Sequence, residues 1–267
     1  MKRVRLDAEL VAQGYCATQS DAARCVMAGL VSSRGERFST PGAQVVPGIE
    51  LHVKDRKPYV SRGGVKLAGG LDAFGVDPAG LRCLDVGCSS GGFTDCLLKR
   101  GATSVISVDV GRAQFDWSLR NDERVDLLES TNIVDVPALG YEGVADLAVC
   151  DVSFTSVERI LGATLDILTS DGRFLTLVKP QFEADPKDVG EGGIIRDKDV
   201  QRSTLARVTS TFAESGLFPI DVCVSPIKGH KGNREFFLLG DRAKMKTVSS
   251  SDLQQHMDTL MLKIGSL

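Results

Sequence analysis

The sequence predicts an α/β protein: a mostly parallel seven-stranded sheet covered by helices on both faces, preceded by a small α+β module. Three observations carry this expectation. Beyond residue 80, short apolar runs alternate with helical patterns at the spacing of repeated strand-helix-strand units. The first 58 residues read differently, as two helices followed by short strands. Between the two regions, Asp55-Arg56-Lys57-Pro58 is charged, short and stopped by proline, as a domain boundary would be. The expected units are therefore residues 1–58, residues 59–243 and a C-terminal amphipathic helix within 244–267.

In the first unit, helices are expected over Leu6 to Gln13, ended by a turn at Gly14, and over Gln19 to Ala28, stopped at Gly29. Thr18 or Ser20 can cap the second, whose apolar face is Ala22, Ala23, Val26 and Met27. Strand-like pieces follow at Leu30 to Ser32 and Ile49 to Val53, punctuated by Pro41-Gly42 and Pro47-Gly48.

In the second unit, the seven expected strands are Cys83 to Val86, Ser104 to Val110, Val125 to Leu128, Leu147 to Asp151, Arg173 to Lys179, Ile220 to Val224 and Glu235 to Leu239. Helices are expected over Gly92 to Arg100, near Gln114 to Asn121, over Ser156 to Leu168 and over about Asp199 to Ser215. Behind serine caps, Leu253, Met257, Leu260, Met261 and Ile264 recur at helical spacing, an apolar stripe suited to packing on its own domain.

Composition narrows the function classes. The 267 residues are 42% hydrophobic and 25% charged, globular proportions with no low-complexity tract. No apolar run reaches the roughly 18 residues that span a bilayer, and Asp7 and Glu9 stand where a signal peptide needs its apolar stretch, so a cytoplasmic protein is expected. Seven cysteines (Cys16, Cys25, Cys83, Cys88, Cys96, Cys150, Cys223) with no C-x-x-C pair and three histidines indicate neither a disulfide framework nor a metal site. Net charge is −3, but residues 1–66 hold 11 Lys or Arg against 6 Asp or Glu, leaving 21 against 29 for the rest. A basic head on an acidic body suits a phosphate-bearing partner.

Leu84-Asp85-Val86-Gly87-Cys88-Ser89-Ser90-Gly91-Gly92-Phe93-Thr94 follows a strand and opens a helix, where absent side chains and free amides let a ligand lie against the main chain. It departs from the dinucleotide form G-x-G-x-x-G. Asp109 ends the next strand, where a carboxylate can accept from a ribose diol, and Asn132 follows the third. Lys66, Asp151, Lys179 and Glu235 stand at element ends expected to converge on one rim, because ligands of doubly wound sheets bind beyond the carboxyl ends of the parallel strands.

Three resemblances sharpen this reading. Val4-Arg5-Leu6-Asp7, Ala22-Ala23, Ala28-Gly29-Leu30-Val31 and Pro47-Gly48-Ile49-Glu50-Leu51 resemble the S4 RNA-binding domain over about 50 residues, departing from it at Thr18-Gln19, where that family usually has Ser-Arg, and at Leu30, a frequent Lys. The glycine-rich loop resembles the first motif of FtsJ-like S-adenosylmethionine methyltransferases, with a Rossmann-like fold. Ser61-Arg62-Gly63-Gly64-Val65-Lys66-Leu67, Asp151-Val152-Ser153-Phe154, Val178-Lys179-Pro180-Gln181-Phe182-Glu183 and Asn233-Arg234-Glu235 look like the TlyA (haemolysin A) family, over nearly the whole chain.

That resemblance implies a ribosomal RNA or ribosomal-subunit substrate methylated at a cytidine ribose 2′-hydroxyl, and S-adenosylmethionine as cofactor. It also implies a tetrad Lys66, Asp151, Lys179, Glu235, with cofactor residues Asp85, Gly87, Ser89, Gly91, Gly92, Phe93, Asp109 and Asn132. A ribose hydroxyl is hardly ionised at neutral pH, so attack on a methyl group needs a base or cation beside the forming alkoxide, and Lys179 is the expected group. Lys66 is expected to act on Lys179, and Glu235 to hold Lys66. A haemolysin-like membrane-active protein and a catalytically inactive RNA-binding adaptor stay open as alternatives, as does a homodimer. A 5-methylcytosine mechanism would want proline beside its cysteine, which Cys150 lacks.

Overall fold

The computed structural model describes residues 3–16, 18–54, 58–112 and 114–267. Asp55 to Lys57, where the sequence places the boundary, lie outside the described residues.

The N-terminal module contains β1 (Val4–Arg5), α1 (Leu6–Ala12), α2 (Gln19–Met27), β2 (Val31–Ser33), β3 (Glu36–Arg37), β4 (Gln44–Val45) and β5 (His52–Val53). β2 pairs antiparallel with β3 and β5, and β1 with β4. Leu6, Leu10, Ala22, Val26, Val31 and Val53 form a core of its own. Thr18 caps α2 by accepting from the Asp21 N–H at 3.1 Å. α1 stops one residue before its expected end, and the Gln13 side chain beyond it donates to Glu9 and to the Ile49 carbonyl.

The next element, α3 (Arg62–Phe74), is absent from the sequence expectation. Its four glycines hide it, since glycine in a helix interior costs about 1 kcal/mol relative to alanine. Close approach explains two of them. A Cβ on Gly64 would stand 2.2 Å from the Tyr59 ring, and one on Gly69 2.5 Å from Pro226.

The large sheet follows as β6 (Arg82–Val86), α4 (Gly92–Lys99), β7 (Ser104–Asp109), α5 (Trp117–Arg120), β8 (Val125–Glu129), β9 (Ala145–Cys150), α6 (Val157–Ile167) and β10 (Leu168–Val178). It ends with α7 (Pro180–Glu183), α8 (Lys198–Glu214), β11 (Phe218–Val224), β12 (Phe236–Asp241), α9 (Arg242–Thr247) and α10 (Ser250–Ser266). The seven strands lie in the order β11-β12-β10-β9-β6-β7-β8, parallel except for β12, which runs antiparallel to both neighbours. Apolar clusters cover both faces, one around Leu84, Val108, Phe174 and Phe212, the other around Leu67, Leu97, Leu147 and Phe237.

The expected helix near Gln114 to Asn121 shrinks to the single turn α5, because the Asp116 carboxylate accepts from the Ser118 N–H and caps the chain there. α10 buries Leu260 and Ile264 of the expected stripe against α8 and β11. The chain runs outward from β6 to β8 and then crosses to β9 on the other side of β6. That reversal opens a cleft beyond the carboxyl ends of β6 and β9.

Candidate active site

The loop after β6 turns through left-handed backbone at Gly87 (φ 82°), Ser89 (φ 47°) and Gly91 (φ 87°). Gly87 is glycine for space as well, because a Cβ would lie 3.1 Å from the Val152 main chain. Beside this loop opens a cavity of about 640 Å³ whose lining includes Gly87, Ser89, Asp109, Gly111, Asn132 and Val152. A second, of about 450 Å³, includes Lys66, Gly92, Phe93, Lys179, Gln181 and Glu235. Gly87, Ser89, Asp151, Ser153 and Phe154 line both, so the two form one cleft.

Asp109 is fixed by two main-chain donors, the Ser89 N–H at 2.8 Å and the Gly111 N–H at 2.7 Å. Each oxygen keeps a lone pair for the cavity. Asn132 lines the same cavity, and its Oδ1 also accepts from the Val134 N–H at 3.3 Å, the loop-capping role open to it from sequence.

Asp85 and Gly91 are placed differently from the sequence expectation. Neither lines the cleft. Gly91 backs onto Leu119 and Phe115. Asp85 is fully buried under the loop, where its Oδ2 accepts from both the main-chain N–H and the hydroxyl of Thr94. Its Oδ1 has no partner. Burial pushes the Asp85 carboxyl up to about 7, against the pull of the Thr94 bonds. A folded-state value raised from 3.8 stabilises the fold fully below about pH 4 and loses that contribution as pH rises to about 7. Wild-type stability should therefore fall relative to Asp85→Asn between pH 5 and pH 8, by up to about 1.4 kcal/mol per unit. Denaturant unfolding at the two pH values checks this, and an unchanged difference would refute it.

The tetrad residues meet in one chain of charge. Lys179, beyond β10 and only 5% exposed, places Nζ 2.7 Å from Asp151 Oδ1, and donates to the Asp151 carbonyl at 3.2 Å and to Ser153 Oγ at 2.8 Å. Lys66 on α3 donates to Glu235 Oε2 at 2.7 Å and lies 4.0 Å from Asp151 Oδ2. Glu235, 2% exposed, also accepts from Gln181 Nε2 at 3.4 Å. Asp151 thus stands between the two lysines, so Lys66 meets Lys179 through a carboxylate and not directly.

Four residues outside the expected set complete the site. Ser153 supplies Lys179 with a second hydrogen-bond acceptor beside the Asp151 carbonyl. Glu183 accepts from Ser156 Oγ at 2.6 Å and from the Val157 N–H at 2.8 Å, tying the loop after β9 to the segment after Lys179. Phe154 and Phe182 flank the cleft with ring centroids 4.9 Å apart. Phe154 is 91% exposed and held at φ 63°, a costly placement for an apolar side chain. All four fall inside the motifs Asp151-Val152-Ser153-Phe154 and Lys179-Pro180-Gln181-Phe182-Glu183 or just after, which was the available signal.

Cys150 is fully buried, and burial pushes its thiol up to about 12, unsuited to nucleophilic attack. Among the described residues, no cluster of three or more His, Cys, Asp or Glu could hold a metal ion, and no helix is long and apolar enough to cross a membrane.

The FtsJ-like methyltransferase family model matches residues 59–242. The chain is 41% identical over 239 residues, 89% of each protein, to the 16S/23S rRNA (cytidine-2′-O)-methyltransferase TlyA of Mycobacterium tuberculosis. It is 37% identical to Hemolysin A of Brachyspira hyodysenteriae, over 87% of this chain and 98% of that one. A solved structure from Streptococcus thermophilus, carrying a provisional hemolysin label, is 36% identical and covers 100% of both chains with a TM-score of 0.68.

Proposed function

The chain belongs to the TlyA family of FtsJ-like methyltransferases, and on that premise we propose that it transfers a methyl group from S-adenosylmethionine to a ribose 2′-hydroxyl of a cytidine in ribosomal RNA. The observation that carries this reading is the run Lys179, Asp151, Lys66, Glu235 at the floor of a cleft that also holds a glycine loop and the Asp109 carboxylate. In this reading residues 1–58 form an S4-like RNA-binding module, 59–243 the catalytic domain and 244–267 a C-terminal helix packed on it, in a cytoplasmic enzyme.

The cleft suits the cofactor. Gly87 lines the cavity where the loop packs close on Val152, Asp109 presents oxygens to a diol, and the cleft has room for an extended nucleoside derivative. The cofactor would be held by Gly87, Ser89, Gly92, Phe93, Asp109 and Asn132, and would supply an electrophilic methyl group. The protein's part is to bring the 2′-hydroxyl to Lys179. Two acceptors, the Asp151 carbonyl and Ser153 Oγ, orient Nζ beside the Asp151 carboxylate and leave its remaining position for the hydroxyl. As the hydroxyl gives up its proton, Lys179 takes it or offsets the charge of the alkoxide. Asp151 holds the lysine, Glu235 holds Lys66, and Lys66 keeps Asp151 in place from its other side. Phe154 offers an exposed ring face beside the cleft, on which a base can stack.

Incubating the purified chain with methyl-labelled S-adenosylmethionine and ribosomal RNA from a strain lacking the gene tests this. Nucleoside mass spectrometry should then find label in 2′-O-methylcytidine. Label in a base, or none in RNA, would overturn the reading.

A further inference from the structure

The loop between β9 and α6 carries three groups of the cleft, Asp151, Ser153 and Phe154, yet its own main chain does little to hold it. Among the described residues, Ser153, Phe154 and Thr155 make no main-chain-to-main-chain hydrogen bond. Phe154 nonetheless keeps a φ of 63° and an exposed ring. Such strain persists only where the surroundings impose it.

One turn of chain supplies that support. Lys179, Phe182 and Glu183 stand at i, i+3 and i+4, a spacing that puts three side chains on one side of α7. All three reach the loop. Lys179 donates to the Asp151 carbonyl and to Ser153 Oγ, and the Phe182 ring lies 4.9 Å from that of Phe154. Glu183 accepts from Ser156 Oγ at 2.6 Å and from the Val157 N–H at 2.8 Å. Ser156 caps α6 and Val157 is its first residue, so Glu183 grips the loop where it becomes helix. The free N–H groups and dipole of that helix end favour a carboxylate. From outside, Arg207 of α8 donates to the Glu183 carbonyl and pairs with Glu158 in the first turn of α6, closing the same corner.

We propose that Glu183 is a positioning residue for methyl transfer, clamping the far end of this loop while Lys179 holds the near end, so that Ser153 and Phe154 stay over the site. This rests on the methyl-transfer reading above. Glu183 is 8% exposed and lines neither cavity of the cleft, so it acts through the loop and not on a ligand. Shape and charge separate here. Glutamine keeps the reach of the clamp, its carbonyl accepting from Val157 and its amide donating to Ser156 Oγ, whereas aspartate keeps the charge and is one methylene too short.

The test uses the full chain, S-adenosylmethionine and ribosomal RNA in single turnovers, with both ligands saturating and below the thermal midpoint of every variant. Glu183→Ala and Glu183→Asp should slow methyl transfer by about ten- to a hundredfold, the scale for a reacting group displaced by up to about 1 Å, with cofactor affinity unchanged. Glu183→Gln should restore most of the rate. Ser156→Ala breaks the same contact from the other side and carries the test should Glu183→Ala not fold. Adding Phe154→Ala to either alanine variant should cost much less than it costs the wild type, because the ring is already misplaced. Glu183→Gln as slow as Glu183→Ala would show that charge matters and not the clamp. Wild-type rates in Glu183→Ala and Ser156→Ala, or fully additive losses with Phe154→Ala, would also overturn the proposal. In each case an active wild type leaves the proposed function standing, whereas a wild type that methylates no ribosomal RNA would sink that reading itself.

Discussion

Lys179→Ala is expected to bind cofactor and RNA as the wild type does and to lose turnover by two to four orders of magnitude, about 3 to 5 kcal/mol of barrier. The expectation rests on placement. Lys179 ends an apolar strand, Pro180 fixes the chain after it, and its amine meets Asp151 and Ser153 in the cleft. An alanine there removes the amine and leaves the Asp151 carboxylate with Lys66 at 4.0 Å, so the thermal midpoint is read beside turnover. Lys179→Arg separates two roles, because guanidinium keeps the charge and does not deprotonate in a protein. If arginine restores much of the rate, Lys179 serves as a fixed cation. If it fails while both ligands still bind, proton transfer through the amine is the better account. Wild-type single-turnover rates in both variants would remove Lys179, and the tetrad with it, from the mechanism.

The Lys66–Glu235 pair should respond in stability as well as rate. Both side chains are largely buried, and among the described residues only the Asp151 carboxylate, at 4.0 Å, remains to pair with Lys66 when Glu235 is truncated. Glu235→Ala therefore leaves a poorly compensated buried charge, and about 3 to 5 kcal/mol of destabilisation is the scale for such a break. Replacing both partners, with Lys66→Met and Glu235→Leu together, should restore much of the stability, since an apolar pair of similar volume needs no counter-charge. Methyl transfer should stay down by about two orders of magnitude in the double variant, because Asp151 loses the lysine on its far side. Denaturant unfolding and single-turnover assays read the two effects apart. A double variant as active as the wild type would make the pair structural only.

Much of this protein is determined by its sequence alone. The alternation of apolar runs with helical patterns settles the parallel sheet, since such strands are buried on both faces and must be apolar throughout. A charged residue that ends such a run marks the rim, which is why Asp151 and Lys179 were legible. Asp85, which the resemblance counts among the cofactor residues, sits inside such a run and not at its end. A carboxylate in a strand buried on both sides reads as a site residue, and only packing shows it turned inward onto Thr94. α3 stayed hidden because the glycines that let it pack against Tyr59 and Pro226 also erase its helical signature.

What the tertiary structure alone decides is how the charges meet. Lys66 and Glu235 are 169 residues apart, and no spacing rule joins them. β12 inserts antiparallel between β10 and β11, pairing Phe236 with Val178. An antiparallel strand brings its beginning beside its neighbour's end, so Glu235 arrives next to Lys179 at the rim where α3 delivers Lys66. The residues were chosen locally, but the direction of one strand assembles them.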